Sequence, residues 1–135
     1  MKKICLILLV GAFSTPLFSQ QLAVVNFLSP RFETANFLWI VTSHDFGKIN
    51  VNKPVIHEFR FTNSGDVPLV ISSVQASCGC TVTDYSKDPI APGSEGYVKA
   101  TYNAAKLGVF SKTVTVNANS AESVVQLTIK GEVVE

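Results

Sequence analysis

Charge is scarce in this chain, and so are the residues that carry chemistry. Asp, Glu, Lys and Arg make up 16% of its 135 residues, eleven basic side chains against ten acidic ones. A balance that close to neutral gives no electrostatic footprint for nucleic acid or an anionic membrane. There are two histidines, three cysteines, one methionine and one tryptophan. No G-x-S-x-G is present, and no Ser or Cys motif sets a nucleophile beside a histidine, so hydrolysis has no frame. Asp84, Asp88 and Glu95 lack the alternating spacing of a calcium loop and read as solvated loop charges. Gly65, Gly93 and Gly108 precede no helical pattern and read as turn glycines, not phosphate cradles. Internal repeats and low-complexity tracts are also missing.

Long apolar runs are missing too. The longest, Ile4 to Phe13, is half of the roughly 20 residues a membrane-spanning helix needs. It follows the basic start Met1-Lys2-Lys3, is broken by Pro16, and leads to the small residue Ser19. That order is a cleavable secretory signal over residues 1–19. Cys5 sits at the front of the run, not at its exit, which excludes a lipoprotein. Cleavage removes Lys2, Lys3, Met1 and Cys5, leaving nine basic residues against ten acidic ones, no methionine, and Cys78 and Cys80 as the only cysteines. No transmembrane segment then remains. Residues 20–35 read as a linker or, through Leu22 to Leu28, an extra edge strand. Residues 36–135 form one domain, large enough to fold on its own core.

Within that domain the period is two, not 3.6. Val55, His57, Phe59 and Phe61 alternate with Ile56, Glu58, Arg60 and Thr62, the pattern of a half-buried strand. The same alternation places Val98, Ala100 and Tyr102 inward, then Val114 and Val116, then Val125, Leu127 and Ile129. Leu69 to Val74 is apolar on both faces apart from Ser72 and Ser73, which predicts a central strand. Phe37 to Thr42 and Phe46 to Ile49 read as one early strand broken near His44-Asp45, with Asp45 capping the Phe46 segment. Asn63-Ser64-Gly65-Asp66 signals a turn through residues that tolerate positive φ; Pro89 to Gly93 and Asn117 to Ser120 supply further turns. About seven short strands at this spacing predict an all-β, immunoglobulin-like sandwich, with a small barrel as the alternative. The widely spaced Cys pair of antibody domains is absent and Trp39 lies in the first strand, so the likeness is architectural only.

The stretch from His44 to Val133 resembles a known family. The residues that carry it are His44-Asp45-Phe46-Gly47-Lys48-Ile49, Phe59-Arg60-Phe61-Thr62-Asn63-Ser64-Gly65, Pro68-Leu69-Val70-Ile71 and Ala76-Ser77-Cys78-Gly79-Cys80-Thr81. Pro89 to Gly93, Thr113 to Val116 and Leu127 to Gly131 follow in the same order. Together they resemble the exported bacterial family called domain of unknown function fifteen-seventy-three, and Cys-Gly-Cys-Thr after Pro-Leu-Val-Ile is the most specific part. The family is similar to the Ig-like ASH, MSP and hydin domains, which act mainly as interaction modules. The resemblance implies a seven-stranded sandwich and a periplasmic or cell-surface home; it implies no activity.

The motif Cys78, Gly79, Cys80, Thr81 is the one candidate site. On an extended strand two residues apart face the same way at about 6.6 Å between Cα atoms, the upper edge of the roughly 4.4–6.8 Å that disulfides span. Gly79 would let the chain pinch or bulge to close the bond. A three-residue ring removes little chain entropy, about 1.6 kcal/mol, so a staple is a poor reason for it. Three readings stay open: a structural pair, a redox-active pair, and a soft-metal site for copper or zinc with His44 and His57 as the only further ligands. His57 falls on the apolar register of its strand and reads as a hydrogen-bonded core histidine. The expectation is a non-enzymatic envelope module without cofactor that meets an unknown envelope protein through a sheet edge or loops. The alternative is a thiol–disulfide or metal-handling protein. Oligomeric state has no signature in the sequence.

Overall fold

The computed structural model describes residues 11–12 and 33–135, the latter within the compact unit Arg31–Glu135. Apart from residues 11–12, the expected signal segment lies outside the described residues, as does the Leu22 to Leu28 edge strand. Eight strands follow one another: β1 (Phe37–Trp39), β2 (Ser43–Asn50), β3 (Val55–Asn63), β4 (Ile71–Ala76), β5 (Thr81–Tyr85), β6 (Glu95–Tyr102), β7 (Gly108–Ala118) and β8 (Val124–Val134). Among the described residues there is no helix. One sheet has the order β1-β3-β6-β5, the other β2-β8-β7-β4. All neighbours are antiparallel except β2 and β8, which run parallel.

The alternation produces the core. Phe59 and Phe61 of β3, Val98 and Ala100 of β6, Val114 and Val116 of β7, and Leu127 and Ile129 of β8 are fully buried between the sheets. Burying each of these larger side chains is worth about 1.5–3 kcal/mol. Aromatic rings fill the ends: Phe37, Trp39 and Phe61 meet at centroid distances of 4.7–4.9 Å, and Tyr102 stacks on Phe110 at 4.0 Å. Ala35 is also buried and bridges Ser120, so packing reaches back at least to that residue.

The expected count of seven becomes eight because the early strand is two strands in different sheets. The chain leaves β1 at the edge of one sheet, crosses at Ile40 to Thr42, and enters β2 at the edge of the other. The Leu69 to Val74 expectation also changes. The strand begins at Ile71, and β4 is an edge, not a central strand. Leu69 is buried through a bridge to Ile90 before the strand starts, which explains the two-faced apolar run.

Asn63 ends β3 for a reason other than backbone freedom. Neither it nor Gly65 has positive φ. The buried Asn63 side chain instead accepts from the Asn36 and Gly65 N–H groups and donates to the Val67 and Ile90 carbonyls. Gly65 is required by space, since a Cβ there would meet the Thr34 carbonyl oxygen and lie 2.7 Å from Ala35 Cα.

Candidate functional site

The Cys-Gly-Cys motif occupies the turn by which the chain passes from β4 in one sheet to β5 in the other. Cys78 and Cys80 are joined by a disulfide with Cα atoms 5.3 Å apart. The segment is a tight turn, not the extended strand that would hold them at about 6.6 Å. Both ends of the turn are anchored. Ser77 N–H donates to the Thr113 carbonyl and Ser77 Oγ accepts from Thr113 N–H. On the other side Asn103 N–H donates to the Cys80 carbonyl and Thr81 N–H to the Cys78 carbonyl.

The two sulfurs have different surroundings. Cys80 packs against the hydrophobic core, whereas Cys78 Sγ lies 3.8 Å from the hydroxyl of the buried Thr81. Gly79 at the tip is exposed, and a Cβ built there would meet nothing within 4 Å. The glycine is therefore required neither by φ nor by space.

His44 and His57 are elsewhere. His44 lies on edge strand β2, and the cysteine turn leaves the opposite edge strand of that sheet, β4. The residues considered as one metal site are not brought together, and among the described residues no group of three or more His, Cys, Asp or Glu is placed to hold an ion. The imidazoles instead stack on each other across the two sheets, with centroids 3.8 Å apart and planes 8° from parallel. Phe46 and Phe59 stand edge-on to them. Parallel rings aim their nitrogen lone pairs in parallel planes, a poor geometry for one shared metal. His57 was expected to be hydrogen-bonded; its buried Nε2 has no partner among the described residues. Burial foremost, then the neighbouring His44, lowers the His57 pKa from 6.5, while Glu58 opposes the shift. No sequence signal announces this pair, because the residues come from strands in different sheets.

Asp45 does not cap a strand start. Its carboxylate accepts from Gly47 N–H at 2.8 Å inside β2, where the pairing with β8 slips and Gly47 takes φ 69°. Beside this slip a groove of about 350 Å³ is lined by Asp45, Lys48, Lys130 and Glu132, with charges of both signs interleaved. A second surface groove lies by Tyr85, whose ring is covered by the Lys87 ammonium at 3.2 Å.

The four sheet edges differ in how they are guarded. β4 and β5 lie against each other, and the Thr83 hydroxyl reaches the Val74 carbonyl at 3.5 Å. β2 carries a register slip and the charged Asp45 and Lys48, and bulges and charges are common protections for an edge. β1 has neither. Its inner residues Phe37 and Trp39 pack inward, while Leu38, Ile40 and Val41 are 60%, 70% and 43% exposed. No described strand pairs with its far side. The missed signal was the unbroken apolar run from Phe37 to Val41, too long for a strand with only one buried face.

Known structures share this architecture. A protein of unknown function from Porphyromonas gingivalis W83 superposes with a TM-score of 0.66 at 16% identity, over 74% of this chain and 47% of that one. The ASH/PapD-like domain 7 of human CEP192 gives 0.63 at 8% identity, over 76% and 87%. The secreted serine protease VesC from Vibrio cholerae gives 0.57 at 12% identity, over 73% and 23%. The chain thus spans about half of the Porphyromonas protein and about a quarter of the protease, and at these identities the likeness shows the immunoglobulin-like, PapD-like fold alone. No curated protein matches the sequence. A family profile described as protein of unknown function, DUF1573, matches residues 37–133, which covers all eight strands almost to the end of β8, and the chain belongs to that family.

Proposed function

We propose that this protein is an exported, non-catalytic interaction module of the bacterial cell envelope, and that it receives an extended segment of a partner protein along β1. The observation that carries the reading is that, among the described residues, no strand pairs with the far side of β1. Leu38, Ile40 and Val41 present apolar side chains beside an open strand, where water gains nothing from them and an added strand would cover them. Val82 on edge strand β5 is also exposed, but it stands alone there, whereas Leu38, Ile40 and Val41 form a run. Export is supported by the signal pattern of residues 1–19 and by the Cys78–Cys80 disulfide, since such bonds persist in oxidising compartments. The non-catalytic reading rests on the absence, among the described residues, of a nucleophile beside a base.

A photoreactive phenylalanine analogue placed at Leu38 or Ile40, in the full chain and its own host, tests the proposal. The expected result is a discrete covalent adduct that disappears when a charge is introduced on the same edge, as in Val41→Lys. The same analogue at Val109, 85% exposed in the other sheet, serves as control. Equal adducts from both sheets, or none from β1, would reject the assignment.

A further inference from the structure

We propose that Cys78–Cys80 is a thiol–disulfide exchange site that oxidises a dithiol of another protein, with Cys78 as the attacked sulfur. This goes beyond the docking role of β1 and does not depend on it, and because each Cys78–Cys80 bond is consumed once it is a stoichiometric exchange, consistent with a non-catalytic module.

The first argument is that the bond has little structural work to do. It closes a ring of three residues inside a turn that backbone and side-chain bonds to Thr113 and Asn103 already anchor at both ends. Loop entropy limits what such a ring adds to the fold, and by linkage the fold protects the bond only by the same factor. For three residues that factor is about fifteenfold in equilibrium constant, against more than roughly a hundredfold for a ring of about fifteen. A disulfide held so weakly by its fold is open to exchange.

Access is the second argument. The turn lies at the margin where two sheets meet, and its tip is the exposed Gly79 with open space around it. Cys78, next to that tip, is half-buried and lies outside the core cluster that Cys80 packs against, so the Gly79 side is the approach to it. The third argument is the asymmetry of the sulfurs. Cys80 is backed by the core, so the attacking sulfur meets Cys78. The Thr81 hydroxyl, 3.8 Å from Cys78 Sγ, can donate to that sulfur when it becomes a thiolate.

The exchange balances with no further oxidant. A thiolate of the partner dithiol attacks Cys78 Sγ, the Cys78–Cys80 bond breaks, and Cys80 leaves as a thiolate that takes up a proton. The partner's second thiolate then attacks the partner's own sulfur in the mixed disulfide. That step forms the partner's disulfide and releases Cys78 as a thiolate beside the Thr81 hydroxyl, to be protonated in turn. Two electrons pass from partner to motif, and the two protons lost by the partner's thiols end on Cys78 and Cys80. Thr81 is a positioning residue.

The test uses the mature wild-type protein with glutathione as probe. The equilibrium between closed and open bond is measured by alkylation and mass, once in native buffer and once in urea, with the Trp39 fluorescence of the native sample recorded. The expected ratio of the native to the unfolded constant is no more than about fifteenfold, with Trp39 fluorescence unchanged on reduction. A ratio above roughly a hundredfold, or loss of the native signal on reduction, identifies a staple and overturns the proposal. A second measurement resolves the direction. Cys80→Ala should form a mixed disulfide with oxidised glutathione at least about tenfold faster than Cys78→Ala, and Thr81→Val should shift the pH profile of the Cys78 thiol upward. Equal rates for the two single variants would overturn the assignment of Cys78.

Discussion

Replacing Asn63 by alanine should cost this domain more than any other single polar substitution. The side chain is fully buried and makes four hydrogen bonds, at 3.3 and 2.9 Å to the Asn36 and Gly65 N–H groups and at 2.8 and 2.9 Å to the Val67 and Ile90 carbonyls. One amide thereby ties the entry to β1, the turn after β3 and the loop before β6. The Ile90 carbonyl keeps a second bond from Leu69 N–H, so its loss is the ordinary net value of about 1 kcal/mol. The other three groups are partly buried, and each contributes about 0.5–1.5 kcal/mol. The total is about 2.5–5.5 kcal/mol, which for a domain of this size lowers Tm by about 10–30 °C. Asn63→Asp separates hydrogen bonding from shape. It keeps the outline but turns an oxygen toward two carbonyl oxygens, so at neutral pH it should be at least as harmful as alanine and should recover partly in acid. Urea and thermal unfolding of the three proteins provide the measurement. A loss below about 4 °C for Asn63→Ala, or an Asn63→Asp protein as stable as the wild type, would refute the account of this corner.

Three further outcomes follow from the same geometry. His57 binds its proton less tightly in the folded than in the unfolded chain, because burial and His44 disfavour the charged ring. Its stability contribution is therefore complete above a pH of about 6.5 and is lost as pH falls from there through the lowered folded pKa; the Tm of His57→Phe should drop less than that of wild type between about pH 7.5 and 5, and parallel curves would sink this reading. Gly96→Ala should destabilise by about 1–3 kcal/mol, since its Cβ would sit 2.5 Å from the fully buried Phe61 ring, whereas Gly79→Ala should leave Tm and the disulfide unchanged. Calorimetry of the pair decides it, and equal effects would count against the packing described. Ile40→Lys should leave Tm within a degree or two while abolishing the β1 adduct, because that side chain is 70% exposed; a large fall in Tm would mean that Ile40 is part of the fold.

The inner faces were legible in the sequence because period-two alternation is a local pattern with one physical cause. A residue and its second neighbour share a face, so the buried positions of β3, β6, β7 and β8 could be named without knowing how the strands pair. What failed was whatever depended on pairing. A strand that crosses from one sheet to the other keeps its apolar run, so nothing in Phe37 to Ile49 marks the change at Ile40 to Thr42. An edge strand next to a buried bridge reads like a central one, as Leu69 to Val74 did. The turn at Asn63 was placed correctly but for the wrong reason, since its partners Val67 and Ile90 are visible only in three dimensions. The cysteine motif was legible as chemistry, yet its turn geometry and its separation from both histidines were not.

The placement of the two proposed functions follows from how the sandwich closes. A two-sheet sandwich has four edges, and this chain joins them in pairs, β1 to β2 at one side and β4 to β5 at the other. Each join is a short covalent crossing, so each side holds a strand end that cannot slide. At the β4–β5 side the crossing is tightened into the Cys-Gly-Cys turn, and the two edges lie against each other. At the β1–β2 side the crossing carries the exposed Ile40 and Val41, the pairing of β2 with β8 slips between Asp45 and Lys48, and no described strand pairs with the far side of β1. A partner strand on β1 and a dithiol at Cys78 would therefore occupy opposite margins of one domain and need not compete. If exchange were instead coupled to docking, Ile40→Lys would change the glutathione equilibrium of Cys78–Cys80, and the separation of the two margins argues that it will not.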